Sequence, residues 1–113
     1  METYRSLEPL GVLGDPTRRL IFETLIRGPR SVGDLAGELP VSRPAVSQHL
    51  RALKAAGLVV DRPAGTRRIY QVDPGGVAAL RAYLDQLWGD ALAAFQQAVD
   101  GSPDPTDTME EKA

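Results

Sequence analysis

The 113-residue chain carries 13 Lys or Arg against 15 Asp or Glu, a formal net charge of -2, with 42% hydrophobic residues. Such a length and composition suit one globular domain with a modest core, which an obligate partner surface would help to stabilise. With no cysteine, the chain has no disulfide framework, thiolate metal site, Cys-x-x-Cys redox motif or cysteine nucleophile.

Leu7, Leu10, Val12 and Leu13 predict a short first helix. Asp15 followed by Pro16 supplies a cap with proline at the first helical position, which starts a second helix. Its apolar stripe is Leu20, Ile21 and Leu25, and Gly28-Pro29 ends it. Ser31, with Asp34 three residues on, forms an imperfect capping box for a helix whose Val32, Leu35, Ala36 and Leu39 face inward before Pro40 stops it. Ser42 caps a further helix, Arg43 to Ala56, with Val46, Leu50 and Leu53 on one face and Gly57 closing it.

The pattern then turns extended: Leu58 to Val60, turn chemistry at Pro63-Ala64-Gly65-Thr66, and a second run from Arg68 to Val72 predict a β-hairpin. Asp73-Pro74 repeats the cap-plus-proline signal. Val77, Leu80, Leu84, Leu87, Trp88, Leu92, Phe95 and Val99 then mark a long amphipathic helix. Residues 74–99 would span about 39 Å, more than one small core can cover, so part of this stripe is expected to meet another chain. Gly101 to Ala113 lacks an apolar period and is rich in Pro, Asp, Thr and Glu, which predicts a disordered acidic tail at 101–113 behind one domain at 1–100. No apolar run nears the roughly 18 residues of a spanning helix and no signal-type segment opens the chain, so a cytoplasmic location is expected.

Charge is unevenly spread. From Asp15 to Val72 there are ten Lys or Arg against five acids, whereas from Asp73 onward two bases face eight acids. A local basic surface matters more to a polyanion than the total, because the relevant field is screened within about 10 Å.

Two short helices with a tight turn, followed by a basic hairpin, read as a winged helix-turn-helix: mainly α with a small hairpin, about five helices in all. With Val46, Leu50 and Leu53 inward, Pro44, Ser47, Gln48, Arg51 and Ala55 point outward, a small polar face that allows close approach to base edges. Arg43 and Gln48 have the paired donors and acceptors suited to guanine or adenine. Ser42, His49, Arg62, Thr66, Arg67 and Arg68 complete the candidate DNA contacts, with three arginines near the hairpin turn where a phosphate backbone would relieve their mutual repulsion. His49 is the one histidine and lies beside the buried stripe, with no second ligand at i+3 or i+4, which favours packing or a phosphate contact over a metal. Leu7, Leu10, Leu80, Leu84, Leu87, Trp88, Leu92 and Phe95 are the candidate homodimer contacts, aromatic residues at helical spacing belonging more often to an interface than to a ligand pocket.

The runs Asp15-Pro-Thr-Arg-Arg-Leu-Ile, Val41-Ser-Arg-Pro-Ala-Val-Ser-Gln-His-Leu-Arg-Ala-Leu-Lys and Ala56-Gly-Leu-Val resemble the ArsR/SmtB family of bacterial transcriptional repressors over residues 7 to about 99. The resemblance implies a winged-helix homodimer, joined through its first and last helices, that binds a palindromic operator near its own promoter and leaves it when an effector acts. The departures point to a metal-independent, actinobacterial-type member without a cofactor. Ser31 and Gly33 stand where thiolate-sensing relatives carry Cys-x-Cys, and Pro74, Gly76, Leu87 and Asp90 stand at the last-helix metal positions. A winged-helix protein-interaction module that has lost DNA is the alternative; Arg43, Gln48, Arg67 and Arg68 count against it. Enzymatic chemistry is disfavoured, since His49 has no evident catalytic partner in sequence reach.

Overall fold

The computed structural model describes residues 9–101. Leu7 and the acidic tail beyond residue 101 lie outside the described residues. The chain divides into two compact units after Arg81.

In the first unit, residues 9–12 are helical (α1), followed by α2 (Pro16–Ile26), β1 (Arg30–Ser31), α3 (Val32–Glu38), α4 (Arg43–Ala55), β2 (Val59–Ala64), β3 (Arg67–Val72) and the start of α5 (Pro74–Gly101). The cap signals work as their chemistry requires. The Asp15 carboxylate accepts from the Arg18 backbone N–H at 2.9 Å. Ser31 and Asp34 form a complete reciprocal box, each side chain accepting from the other's backbone N–H at 3.0 Å. At the end of α4, Gly57 adopts φ 80°, the Leu58 N–H donates to the Leu53 carbonyl and the Gly57 N–H to the Lys54 carbonyl, which is a Schellman closure.

The core joins Ile21, Phe22 and Leu25 of α2, Leu35 of α3, Val46, Leu50 and Leu53 of α4, and Leu58 and Val59. Each such burial contributes about 1.5–3 kcal/mol as an upper estimate, so α4 is held by its inner face and its outer face is left unpacked. The apolar stripe of α2 is rotated from the sequence expectation: Leu20 is 37% exposed while Phe22 and Thr24 are buried. The buried Thr24 hydroxyl is satisfied by donating to the Leu20 carbonyl at 2.9 Å.

The expected hairpin is part of a three-stranded antiparallel sheet ordered β1-β3-β2, with Arg30 opposite Tyr70, Ser31 opposite Ile69 and Ala64 opposite Arg67. The turn is therefore only Gly65-Thr66. Gly65, at φ 65°, takes the first central position that a type II′ turn reserves for glycine. Pro63 and Ala64, expected in the turn, are paired strand residues; Pro63 is tolerated because β2 is an edge strand.

Val77 and Leu80 of α5 are partly buried against this core, so Leu80 packs within its own chain. In the second unit α5 continues with Leu84, Leu87, Trp88, Leu92, Phe95 and Val99 between 42% and 68% exposed. No helix among the described residues is long and apolar enough to cross a membrane.

Candidate nucleic-acid interface

Arg43, Pro44, Gln48, Arg51 and Ala55 are exposed along α4, with Ser47 half-buried beside them. Positions 44, 48, 51 and 55 follow the i, i+4, i+7, i+11 spacing of one helix face, directed away from buried Val46, Leu50 and Leu53. Ser42 is exposed at the N-cap, where its Oγ accepts from the Ala45 N–H at 3.3 Å, leaving its hydroxyl hydrogen free to donate outward.

The basic side chains of the segment from Asp15 to Val72 sort by their partners. Arg30 pairs with Glu38, Arg67 with Asp34, and both Arg68 and Lys54 with Asp61, at 2.6–2.7 Å. Arg18, Arg19 and Arg27 donate to acceptors other than carboxylates: His49 Nδ1, the Leu13 carbonyl and the Thr24 hydroxyl. Arg43, Arg51 and Arg62 make no hydrogen bond or ion pair among the described residues, and they lie at the start of α4, on its outer face and on the wing.

The sequence reading treats Arg62, Arg67 and Arg68 as three equivalent cations near the turn, and the structure separates them. Arg67 bridges from the wing to the start of α3, donating to Asp34 Oδ2 at 2.7 Å and to the Ser31 hydroxyl at 2.8 Å. Arg68 donates to Asp61 Oδ2 at 2.6 Å, and the Asp61 side chain is only 7% exposed between Arg68 and Lys54. Those two hydrogen-bonded cations hold the Asp61 carboxyl below the usual carboxylate range, and Asp61 in turn raises Arg68. Asp34 is lowered chiefly by the Ser31 backbone N–H, then by the Ser31 hydroxyl and the charge of Arg67. Thr66 is exposed in the turn.

Sequence reasoning passed over Asp34, Asp61, Lys54 and Arg18 as parts of this surface. Asp61 and Arg68 are diagonal neighbours across the β2–β3 ladder, which becomes readable only once the register is known. A cleft of about 590 Å³ separates the wing from the first turns of α3 and α4, lined among others by Gly33, Asp34, Arg43, Arg67 and Tyr70. The Arg43 guanidinium lies over Gly33, where a Cβ would come within 3.1 Å of it, so Arg43 faces this cleft more than the outer face of α4. His49 is half-buried and accepts at Nδ1 from Arg18 Nε at 3.2 Å, tying α4 to α2.

At the positions where metal-sensing relatives would place ligands, Ser31 is 5% exposed and engaged in the cap, and Gly33 has no side chain. A side chain at Gly76 would meet the Gly57 carbonyl oxygen at 1.6 Å. Among the described residues no three His, Asp or Glu side chains group together as metal ligands.

A helix-turn-helix whose second helix offers a polar outer face, followed by a basic wing, defines a winged-helix transcriptional regulator. Residues 15–60 match the bacterial regulatory protein, arsR family. The chain is 58% identical over 107 residues to the HTH-type transcriptional regulator Rv2034 of Mycobacterium tuberculosis, covering 94% of this chain and all of that one. It is 36% identical over 61 residues to the transcriptional repressor SdpR of Bacillus subtilis, covering 54% of this chain and 68% of the repressor. The ArsR-like transcriptional regulator from Rhodococcus sp. RHA1 superposes with a TM-score of 0.74 at 33% identity, over 87% of this chain and 96% of that one. The chain belongs to the ArsR family of bacterial transcriptional regulators and is a regulator rather than an enzyme.

Proposed function

We propose that the chain is a homodimeric, sequence-specific DNA-binding repressor of its own and neighbouring genes in the cytoplasm, and that its release from DNA does not depend on a metal. The carrying observation is that Arg43, Arg51 and Arg62, the basic side chains of the central segment that lack a partner among the described residues, fall on the helix and wing that such a fold turns toward DNA. Phosphates would take up those donors, while Gln48, exposed on the outer face of α4, would read a base edge in the major groove. The exposed apolar stripe from Leu84 to Val99 supports a second copy as partner. Repression follows from occupancy of a promoter, and SdpR, a repressor by name, is similar. Metal independence is supported by the missing thiols and by the absence of donor side chains at Gly33, Pro74, Gly76 and Leu87. An interaction module that had lost DNA would have no reason to leave three guanidinium groups unpartnered on α4 and the wing.

The test is a nuclease footprint of the purified full chain on DNA upstream of its own gene, repeated with micromolar zinc and with a chelator. The expected result is two protected half-sites about 34 Å apart, unchanged by either addition. No protection, or protection abolished by zinc at one equivalent, contradicts the reading.

A further inference from the structure

The wing carries three arginines, but the structure gives them unlike surroundings. Arg62 stands on the edge strand with no partner among the described residues. Arg67 reaches back 33 residues in sequence to the carboxylate of Asp34, and the same Oδ2 that takes its guanidinium also takes the Ser31 backbone N–H. Its second bond goes to the Ser31 hydroxyl, the other half of the capping box. Ser31 is simultaneously a residue of β1, paired with Ile69 of β3. The N-terminal cap of α3, the first strand and the tip of the wing are thus joined at one point.

We propose that Arg67 is a positioning residue that clasps the wing to the cap of α3 through Asp34 and Ser31, and that the wing's contact with the DNA backbone is made by Arg62. This rests on the DNA-binding reading. An arginine with a carboxylate at 2.7 Å brings little net charge to a phosphate, so it releases few counterions on binding. Turning Arg67 outward would exchange one charge-assisted pair for another and leave Asp34 facing the phosphate that had taken its partner. Arg62 has no such competitor. The pair is about half exposed, which makes its worth to global stability small; its consequence is geometric, since beyond the Ser31–Ile69 pairing only β2 and β3 continue as a two-stranded tip.

The experiment uses the full chain with Arg67→Gln, Asp34→Asn, their double variant and Arg62→Gln, reading operator affinity across salt and backbone amide exchange over residues 62–69 in the free protein. The amide introduced by Asp34→Asn keeps an oxygen for the Ser31 N–H while losing the charge, and Arg67→Gln leaves the α3 cap untouched. Arg67→Gln and Asp34→Asn are each expected to weaken operator binding about tenfold with an unchanged salt slope, to speed wing exchange, and not to add in the double variant. Arg62→Gln is expected to make the slope of a dimer shallower by about 2, at roughly 0.9 per phosphate contact, with exchange unchanged. A shallower slope for Arg67→Gln, tighter binding by Asp34→Asn, or wing exchange unaltered by either overturns the clasp. Absence of any salt-dependent DNA binding by the unaltered chain would instead defeat the DNA-binding reading, and the exchange measurement, which needs no DNA, still decides whether the clasp holds the wing.

Discussion

Gly76 sits so close to Gly57 that a Cβ there would lie 1.6 Å from the Gly57 carbonyl oxygen and 2.7 Å from its carbon. The first turn of α5 therefore rests directly on the turn that closes α4. The Asp73 N–H, donating to the Leu58 carbonyl at 2.9 Å, fastens the same junction. Because the obstructing atoms are backbone, no rotamer change relieves the clash. Gly76→Ala is expected to destabilise the fold by about 3 kcal/mol, the upper end of overpacking costs. Gly75→Ala, whose Cβ meets only the Asp73 carboxylate at 3.4 Å, is expected to be neutral or stabilising by up to about 1 kcal/mol. Urea unfolding of the two variants checks the contrast.

Acid should weaken the fold with a predictable sign. The Asp15, Asp34 and Asp61 carboxyls are all held below the ordinary 3.8. Each contributes stability that is fully present above that value and is lost as pH falls through its lowered one. Urea midpoints should be flat from pH 7 to about 5 and fall toward pH 3. In Asp61→Asn, which removes a carboxylate only 7% exposed, the acid limb should be shallower.

Recognition by α4 makes a distinction between two DNAs. Gln48→Ala should cost about 1–3 kcal/mol on the operator and far less on random DNA. Arg51→Ala should weaken both by similar factors, as expected for a phosphate contact. Competition titrations with the two DNAs separate the cases, and equal losses for Gln48→Ala would remove it as a reader.

The apolar stripe of α5 gives a prediction about assembly. Leu84 is 42% and Trp88 68% exposed in the single chain, and truncating an aromatic buried at an interface costs about 2 kcal/mol or more. The double variant Leu84→Ala with Trp88→Ala should sediment as a monomer, and its operator affinity should fall by orders of magnitude because one recognition helix is lost with the partner. Unchanged sedimentation and affinity would show that these side chains serve no dimer.

The helices and their ends were legible because their signals are local: Asp15-Pro16, the Ser31–Asp34 box, Ser42 and Gly57 each act within a few residues of themselves. What escaped were relations across the chain. A two-residue strand such as Arg30–Ser31 has no period to detect, so the third strand was missed. Pro63 reads as a turn residue unless β2 is known to be an edge. The rotated stripe of α2 depends on which elements pack against the helix, and burial there takes Phe22 inward and leaves Leu20 outside. In the site, the basic character of the wing could be counted from sequence, but the pairing of Arg67 with Asp34 and of Arg68 with Asp61 depends on tertiary and cross-strand proximity.

The salt dependence of operator binding bears most directly on the claim that three unpartnered arginines per chain face DNA in a dimer. Six such cations per dimer, at about 0.9 counterions each, give an expected slope of log K against log salt near -5, steepened only by further contacts beyond the arginines. Alanine at Arg43, Arg51 or Arg62 should each make it shallower by about 2. A slope near zero, or one indifferent to all three substitutions, would contradict the account.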